Sequence, residues 1–339
     1  MFRRISRLAL VAAMSFFMSS NGLTAQEAKK IRIGYQTGEI NVILSYAVGK
    51  GIFKQSGLDV TVSQFPAGPA MLPAIAAGEL DLAWMGEFPA VTGFANGLPV
   101  QIIFMERIDA TNVRLAANPA AGITSLSDLK GKRIGVAVGS TSHYHLLRAL
   151  EKGGLQPSDV TLVNLTPANM PPAYVAGQID AAFVWEPNVG AIERAGAKPI
   201  ATTKSLDMIT GGVWVARKGF VSDSPDALQL FLKAWDQAQQ DYKKDPAGVR
   251  AYEAKRIDMT AEQFDKLVEG QGVAHPTFEQ VLTADFMGPP GHEADSRLGK
   301  HLQGIAAFLL REKRIQSVPT NWGELLYTRP VRTYLESRK

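Results

Sequence analysis

Strand-like and helix-like segments alternate through the first two thirds of the sequence, and this alternation constrains the fold more than any other feature. Segment 31–38, IRIGYQTG, alternates apolar and polar residues and ends on a glycine, as a half-buried strand does where it enters a loop. Similar segments follow as far as 81–86, DLAWMG, and a second series extends from about residue 118 to 211–220, GGVWVARKGF. The pattern predicts an α/β fold with mainly parallel sheets flanked by helices.

The second series interrupts the first, which predicts two lobes joined by two crossings of the chain. We assign residues 30–116 and 217–339 to lobe 1, which is discontinuous, and residues 117–216 to lobe 2, with the hinge at 114–119 and 213–218. A chain of 339 residues, 46% of them hydrophobic, can bury two such cores. Ligands of open α/β sheets bind at the carboxyl ends of the strands, so the loops there should face each other across a cleft.

The N-terminus has the composition of a secretory leader. Arg3, Arg4 and Arg7 precede an apolar run from residue 8 to about residue 18, and Ala25 is the expected residue before the cleavage point. The run is short for a bilayer span, which argues against the alternative of an uncleaved anchor helix. We predict a signal peptide over residues 1–25, whose removal leaves a periplasmic protein.

Charge and composition exclude several function classes. Three leader arginines contribute to the net charge of +4, so the mature chain is nearly neutral and has no long basic block to attract nucleic acid. The sequence has no cysteine, which excludes thiol catalysis, disulfides and cysteine-based zinc sites. None of the common catalytic motifs of hydrolases, zinc proteases or nucleotide-binding proteins is present. We predict a monomeric binding protein with no catalytic residues, metal or cofactor.

The stretch GSTSHYHLLRAL places three hydroxyl residues, Ser140, Thr141 and Ser142, between a strand-like segment and an apolar helical run. A helix start offers free backbone N–H groups and a partial positive charge, so an oxyanion could be held there, with His143 as a further donor. Serine and threonine are also the preferred N-cap residues. The local pattern therefore leaves plain capping and anion binding both open.

The longer segments resemble the periplasmic taurine-binding and alkanesulfonate-binding proteins of ABC importers. The resemblance is carried, in order, by IRIGYQTG, AIAAGELDLAWMGEFPA, LSDLKGKRIGVAVGSTSHYHLLRALEKGGL, YVAGQIDAAFVWEPNVGAIERAG, VWVARKGF and IAAFLLREKRI. It implies a two-lobed Venus flytrap fold and, as partner, an ABC permease with its ATPase. It also implies that a sulfonate is held by residues 140–143 together with the loop Gln36, Thr37 and Gly38.

A zwitterionic sulfonate such as taurine also needs a partner for its ammonium group. Three acids follow strand-like segments, Glu39, Glu87 and Glu186, and each of them could instead be a surface or helix-capping acid. The taurine-binding proteins place an aspartate just before the VWV strand, where this chain has Gly211 and Gly212. Either Glu186 or Glu39 replaces that aspartate, or the ligand has no ammonium group.

Three tryptophans, Trp84, Trp185 and Trp214, lie on or beside strands that should border the cleft. Burial in the core is the commoner fate of tryptophan, and we expect it for Trp84 and Trp214. Trp185 could instead contact the methylene groups and the ammonium of a small ligand.

These observations predict a receptor that binds a small organosulfonate and delivers it to an ABC permease. Taurine is the favoured ligand. The alternatives are a receptor for another alkanesulfonate, a sulfate ester or an aminophosphonate, an enzyme similar to the pyrimidine-forming thiamine biosynthesis proteins, and a sensor module. The predicted ligand-binding residues are Gln36, Thr37, Gly38, Glu39, Glu87, Ser140, Thr141, Ser142, His143, Trp185, Glu186 and Trp214.

Overall fold

The computed structural model describes residues 28–269 and 272–338, so the predicted signal peptide lies outside the described residues. Two five-stranded sheets form the centre of the molecule. The strands of the first sheet are β1 (Lys29–Gln36), β2 (Leu58–Phe65), β3 (Leu82–Gly86), β4 (Val100–Ile108) and β10 (Gly211–Arg217). The strands of the second sheet are β5 (Val113–Ala117), β6 (Arg133–Val136), β7 (Thr161–Asn164), β8 (Ala181–Trp185) and β9 (Lys198–Thr202).

Helices flank both sheets, and the chain after β10 is largely helical, as the sequence predicts. The α-helices are α1 (Val42–Gly49), α2 (Ile52–Gln55), α3 (Leu72–Ala76), α4 (Glu87–Ala95), α5 (Thr141–Lys152), α6 (Met170–Val175), α7 (Asn188–Arg194), α8 (Lys218–Asp223), α9 (Pro225–Lys244), α10 (Pro246–Arg256), α11 (Ala261–Val268), α12 (Phe278–Val281), α13 (Arg297–Arg311), α14 (Trp322–Leu325) and α15 (Arg329–Ser337). None of the helices within residues 28–269 and 272–338 has the length and apolar character of a membrane-spanning segment.

The two sheets have the same mixed topology. The strand order is β2-β1-β3-β10-β4 in the first sheet and β7-β6-β8-β5-β9 in the second. In each sheet one strand, β10 or β5, runs antiparallel to both of its neighbours, and the other four strands are parallel to one another. The predicted two-lobed α/β fold with mainly parallel sheets is confirmed.

The crossings between the sheets lie at residues 109–112 and 203–210. The lobe boundaries predicted after residues 116 and 216 therefore fall inside β5 and β10, and the predicted hinge segments overlap these strands. The difference arises because β5 and β10 are the antiparallel strands, whose sheet membership depends on pairing that hydrophobic alternation does not reveal. The two crossings are hydrogen-bonded to each other, since Asp109 N donates to Thr210 O at 2.9 Å.

An aromatic cluster forms the core of the first lobe. The ring of Trp214 on β10 lies 5.0 Å from that of Phe231 and 5.1 Å from that of Trp235, both on α9, and all three residues are fully buried. Phe104 on β4 packs against the same rings. The structure therefore places Trp214 in the packed interior, where aromatic pairs add to the stability gained from buried area.

Candidate ligand-binding site

A small cavity lies between the lobes, at the edge where the carboxyl ends of the parallel strands of both sheets meet. It is lined by Gln36, Glu39, Trp84, Gly86, Pro89, Arg107, Asp109, Val113, Ser140, Thr141, Ser142, Trp185, Thr210 and Gly211. Its free volume is about 30 Å³, which is room for about two water molecules. Phe88 of α4 stacks on Tyr144 of α5 across the lobes, with ring centroids 5.3 Å apart. The lobes are thus closed on each other, and a larger ligand must enter with the lobes apart.

The three hydroxyl residues at the start of α5 have different environments. Ser140 is the N-cap, and its Oγ accepts from the backbone N–H of His143 at 3.4 Å. Thr141 Oγ1 accepts from the backbone N–H of Phe88 in the other lobe, also at 3.4 Å. Ser142 is 1% exposed, and its Oγ has no hydrogen-bond partner among the described residues. Ser140 therefore caps the helix, whereas the Ser142 hydroxyl is buried without a partner in the described part of the chain.

His143 stabilises the turn that precedes α5. Its Nδ1 accepts from the backbone N–H of Gly139 at 3.3 Å, and the residue is buried and does not line the cavity. Burial lowers the pKa of its imidazole to about 4, with a smaller contribution from Arg314. Gly139 itself has φ +86°, the left-handed region that favours glycine. His143 is thus a neutral part of the turn and not one of the donors that face the cavity.

Trp185 and Trp84 both border the cavity, but only Trp185 has an unused donor. The indole Nε1 of Trp185 is buried without a hydrogen-bond partner in the described part of the chain. The Nε1 of Trp84 donates to Glu106 Oε2 at 3.1 Å, and the guanidinium of Arg107 lies 4.7 Å from the Trp84 ring centroid. Trp84 therefore contributes a wall, whereas Trp185 can donate to a ligand.

Two carboxylates and one guanidinium line the wall that the first lobe contributes. Arg107 Nη2 donates to Glu39 Oε1 at 2.6 Å, and Arg107 Nε donates to Asp109 Oδ2 at 3.2 Å. Gln36 Nε2 donates to the other oxygen of Glu39 at 3.4 Å. Burial raises the pKa of Glu39 to about 7, although Arg107 opposes the shift, and burial also raises the pKa of Asp109. Glu39 is thus at the cavity, but both of its oxygens already have partners.

The other two predicted acids are held elsewhere by neighbouring side chains. Glu186 Oε1 accepts from Arg114 Nη2 at 2.6 Å, and its Oε2 accepts from the backbone N–H of Gly190 at 3.2 Å. Glu87 is fully buried, with one oxygen 3.5 Å from His301 Nε2 and the other 3.5 Å from Thr210 Oγ1. Neither acid lines the cavity.

The loop after β1 contributes only part of its predicted residues. Gln36 and Glu39 line the cavity, whereas Thr37 and Gly38 do not. The Thr37 backbone N–H donates to Phe65 O at 2.7 Å, and Gly38 has φ +70°. The turn therefore directs only its first and last residues toward the cleft.

Arg107 and Asp109 are the functional candidates that the sequence analysis missed. They belong to MERID, the charged segment at the end of a mainly apolar strand, and both are about 95% buried. Charged residues are almost never buried without a partner, so charges at the end of a buried strand were the available signal. The nearby glycines leave no space for side chains, because a Cβ would collide with the Arg107 carbonyl oxygen at Gly211 and with the Trp84 ring at Gly212.

Several proteins with related sequences are binding proteins by name. The Taurine-binding periplasmic protein of Escherichia coli (strain K12) is 28% identical over 336 residues, which cover 96% of this chain and 98% of that protein. The Putative aliphatic sulfonates-binding protein of the same organism is 30% identical over 242 residues, 70% of this chain and 74% of that protein.

The fold is shared with solved binding proteins. The alkanesulfonate-binding protein SsuA from Xanthomonas axonopodis pv. citri, bound to MOPS, superposes with a TM-score of 0.69 at 24% identity and covers 90% of this chain and 99% of its own. The family profile described as NMT1/THI5 like matches residues 41–249, which is more than half of the chain. The chain belongs to the NMT1/THI5-like family.

Proposed function

We propose that this protein is a periplasmic solute-binding protein that captures a small organosulfonate and delivers it to an ABC permease with its ATPase. Taurine is the ligand that we favour. The names of the relatives support the sulfonate class, and the taurine-binding relative matches over nearly the full length. The observation that carries the proposal is the pair of unused donors, Ser142 Oγ and Trp185 Nε1, in the cavity between the lobes. We propose that the protein catalyses no reaction and that it acts as a monomer.

A sulfonate matches these donors in charge and in hydrogen bonding. Its three oxygens carry one negative charge, and the start of α5 adds the positive end of a helix dipole to the Ser142 hydroxyl and the Trp185 N–H. Buried donors without partners are costly, because each has lost its hydrogen bonds to water. The donors lose water only when the lobes close, so the cost falls on the closed state. An oxyanion that accepts from both donors removes this cost, and binding therefore favours closure about the crossings at 109–112 and 203–210.

Calorimetric titration of the mature protein tests this function. We expect taurine to bind with a Kd of about 1 µM, equivalent to about −8 kcal/mol, in parallel titrations with ethanesulfonate, isethionate, aminoethylphosphonate and sulfate. Ser142→Ala should weaken every sulfonate by about 10-fold, because one hydrogen bond to a charged group is lost. The ligand-free variant should unfold like the wild type, since Ser142 Oγ has no partner to lose among the described residues.

Ser296→Ala is the matched control. Ser296 is also a buried serine near the start of a helix, but its Oγ accepts from Gly299 N at 3.0 Å and it lies outside the cavity. This variant should lower the free energy of unfolding by about 1 kcal/mol and leave sulfonate affinity unchanged. If none of the sulfonates binds the wild type, or if Ser142→Ala destabilises the empty protein without changing affinity, the proposed function is wrong.

A further inference from the structure

Asp109 has an unused carboxylate oxygen at the cavity. The residue follows β4 at the first crossing, is 4% exposed and lines the cavity. Its Oδ2 accepts from Arg107 Nε at 3.2 Å, whereas its Oδ1 is buried and has no hydrogen-bond partner among the described residues. Burying a carboxylate oxygen without a donor costs free energy. An N–H or O–H group from a bound ligand would therefore stabilise this oxygen.

Asp109 and Glu39 share one guanidinium as their nearest positive charge. Glu39 and Asp109 share the single guanidinium of Arg107, whose Nη2 donates to Glu39 and whose Nη1 donates to the carbonyl oxygen of Ile40. Arg107 therefore has its nitrogens engaged and pairs with two carboxylates at once. With both acids ionised, this group carries a net charge of about −1 in a site shielded from water, where one added cation is strongly favoured.

Asp109 differs in this respect from the acids that the sequence singled out. Both oxygens of Glu39, Glu87 and Glu186 lie within 3.5 Å of a donor group or of a histidine ring nitrogen. Only Glu39 among them lines the cavity. Asp109 thus combines a place at the cavity with an oxygen that is free to accept.

The anion donors and the free carboxylate oxygen come from different lobes. Ser142 and Trp185 belong to α5 and β8 of the second lobe, whereas Asp109 directly follows β4 of the first. A ligand with an oxyanion at one end and a cation at the other would therefore bridge the lobes.

We propose that Asp109 Oδ1 accepts a hydrogen bond from a cationic ammonium group of the ligand, so that the site selects short aminoalkanesulfonates over sulfonates without an amine. This inference rests on the proposed function and specifies the ligand class within it. Asp109 is then the residue that determines specificity, and the acids predicted from the sequence are not.

Asp109→Asn tests the proposal, because the variant keeps the shape of the side chain and an oxygen for Arg107 but removes the charge. We expect taurine affinity to fall by about 10- to 100-fold and ethanesulfonate affinity to stay the same or rise. The matched control is Asp81→Asn, since Asp81 is also a buried aspartate paired with arginine but lies outside the cavity. This control should leave the ratio of the two affinities unchanged. Equal weakening of both ligands by Asp109→Asn would overturn the proposal.

Proton release by the wild type provides a second measurement if the variant does not fold. An ammonium at Asp109 lowers the pKa of the nearby carboxyls, so taurine binding below about pH 7 should release protons, whereas ethanesulfonate binding should not. The charged groups that act on Asp109 are Arg107, Glu106 and His275, together with Glu39 across Arg107. Calorimetry in buffers of different ionisation enthalpy measures this difference, and equal proton exchange for both ligands would contradict the role of Asp109.

Two zwitterions without a sulfonate, β-alanine and aminoethylphosphonate, separate this inference from the proposed function. If these bind in a manner that depends on Asp109 while sulfonates do not, the proposed sulfonate function fails and the cation site stands. If sulfonates bind equally well with and without an amine, the function stands and the cation site fails. If no compound of either kind binds, both are wrong.

Discussion

An unpartnered polar atom indicates a binding site only where it also borders a cavity. Trp185 and Trp235 both have an indole Nε1 without a hydrogen-bond partner in the described structure. Trp185 lines the cavity between the lobes, whereas Trp235 is packed among the rings of Trp214, Phe231 and Phe104. The same unsatisfied atom therefore borders the cavity at Trp185, where we propose that it meets a ligand, and belongs to core packing at Trp235.

Replacing each of these tryptophans by phenylalanine separates the two roles. Trp185→Phe keeps an aromatic wall but removes the N–H, so we expect sulfonate affinity to fall by about 10-fold with little change in the free energy of unfolding. Trp235→Phe leaves a void in a packed core and should cost about 1–3 kcal/mol of stability without changing affinity. Calorimetric titration and urea unfolding of both variants measure these effects, and equal affinity losses would contradict the distinction.

The residues of the site could be predicted from the sequence where the signal is local. A run of hydroxyls between a strand and an amphipathic helix indicates a helix start, and Ser140, Thr141 and Ser142 all line the cavity. The sequence does not indicate Arg107 and Asp109. Their position at the cavity depends on the pairing of β4 with β10 and on a crossing that only the fold defines. Glu186 looked suitable in sequence, but Arg114 on the neighbouring strand β5 holds it.

Among the elements, α5 combines a start that faces the cavity with a face that packs in the core. Leu146, Leu147 and Leu150 are buried, as the helical spacing predicts. His145 lies among them, fully buried, and neither ring nitrogen has a hydrogen-bond partner within the described residues. Burial lowers the pKa of its imidazole to about 3, with a further contribution from His301. The helix therefore carries one group that must stay neutral.

His145→Leu should make the protein less sensitive to acid. In the wild type the unfolded chain binds a proton at His145 below its ordinary pKa of about 6.5, whereas the folded chain does so only near the folded pKa of about 3. Stability is therefore present above about pH 6.5 and is lost as the pH falls toward 3. Leucine removes this penalty, so the stability gained by the variant should grow from about pH 7 to about pH 4.

Urea unfolding at several pH values measures that difference. The variant must be compared with the wild type at each pH, because Glu39, whose pKa is raised to about 7, changes stability with pH in the opposite direction from His145. That carboxyl favours the folded state at low pH and loses this contribution as the pH rises through 7. His292→Leu is the matched control substitution, since His292 is an exposed histidine. A constant difference between His145→Leu and the wild type would contradict the burial argument.

At the scale of the whole molecule, alternation along the sequence predicted two α/β lobes but not where the chain passes between them. Alternation reports which residues are buried, whereas the crossings depend on which sheet β5 and β10 join. The crossings also contribute residues to the cavity. Asp109 lies in the first crossing and Thr210 at the end of the second, and both line the cavity. The proposed lobe movement and the proposed ligand contacts would therefore involve the same short segments.

Gly86 at the end of β3 lies directly against Thr141 at the start of α5, in the other lobe. A Cβ at Gly86 would collide with Thr141 Oγ1 and lie 3.2 Å from Thr141 Cβ. Gly86 has φ −67° and ψ 161°, a conformation that alanine adopts without strain. Gly86→Ala should therefore hinder closure while leaving each lobe intact. We expect ligand affinity to fall by about 10-fold or more, because the closed state becomes less populated.

Small-angle scattering with and without ligand measures the closure directly. The radius of gyration should decrease on ligand addition in the wild type and in the control Gly304→Ala, where a Cβ meets no atom within 4 Å. It should decrease less in Gly86→Ala. Adding Thr141→Ala to that variant removes Oγ1 and should restore part of the closure, even though Thr141→Ala alone loses the contact with the Phe88 N–H. Normal closure of Gly86→Ala would show that the lobes can meet without this contact, and the affinity loss would then need another cause.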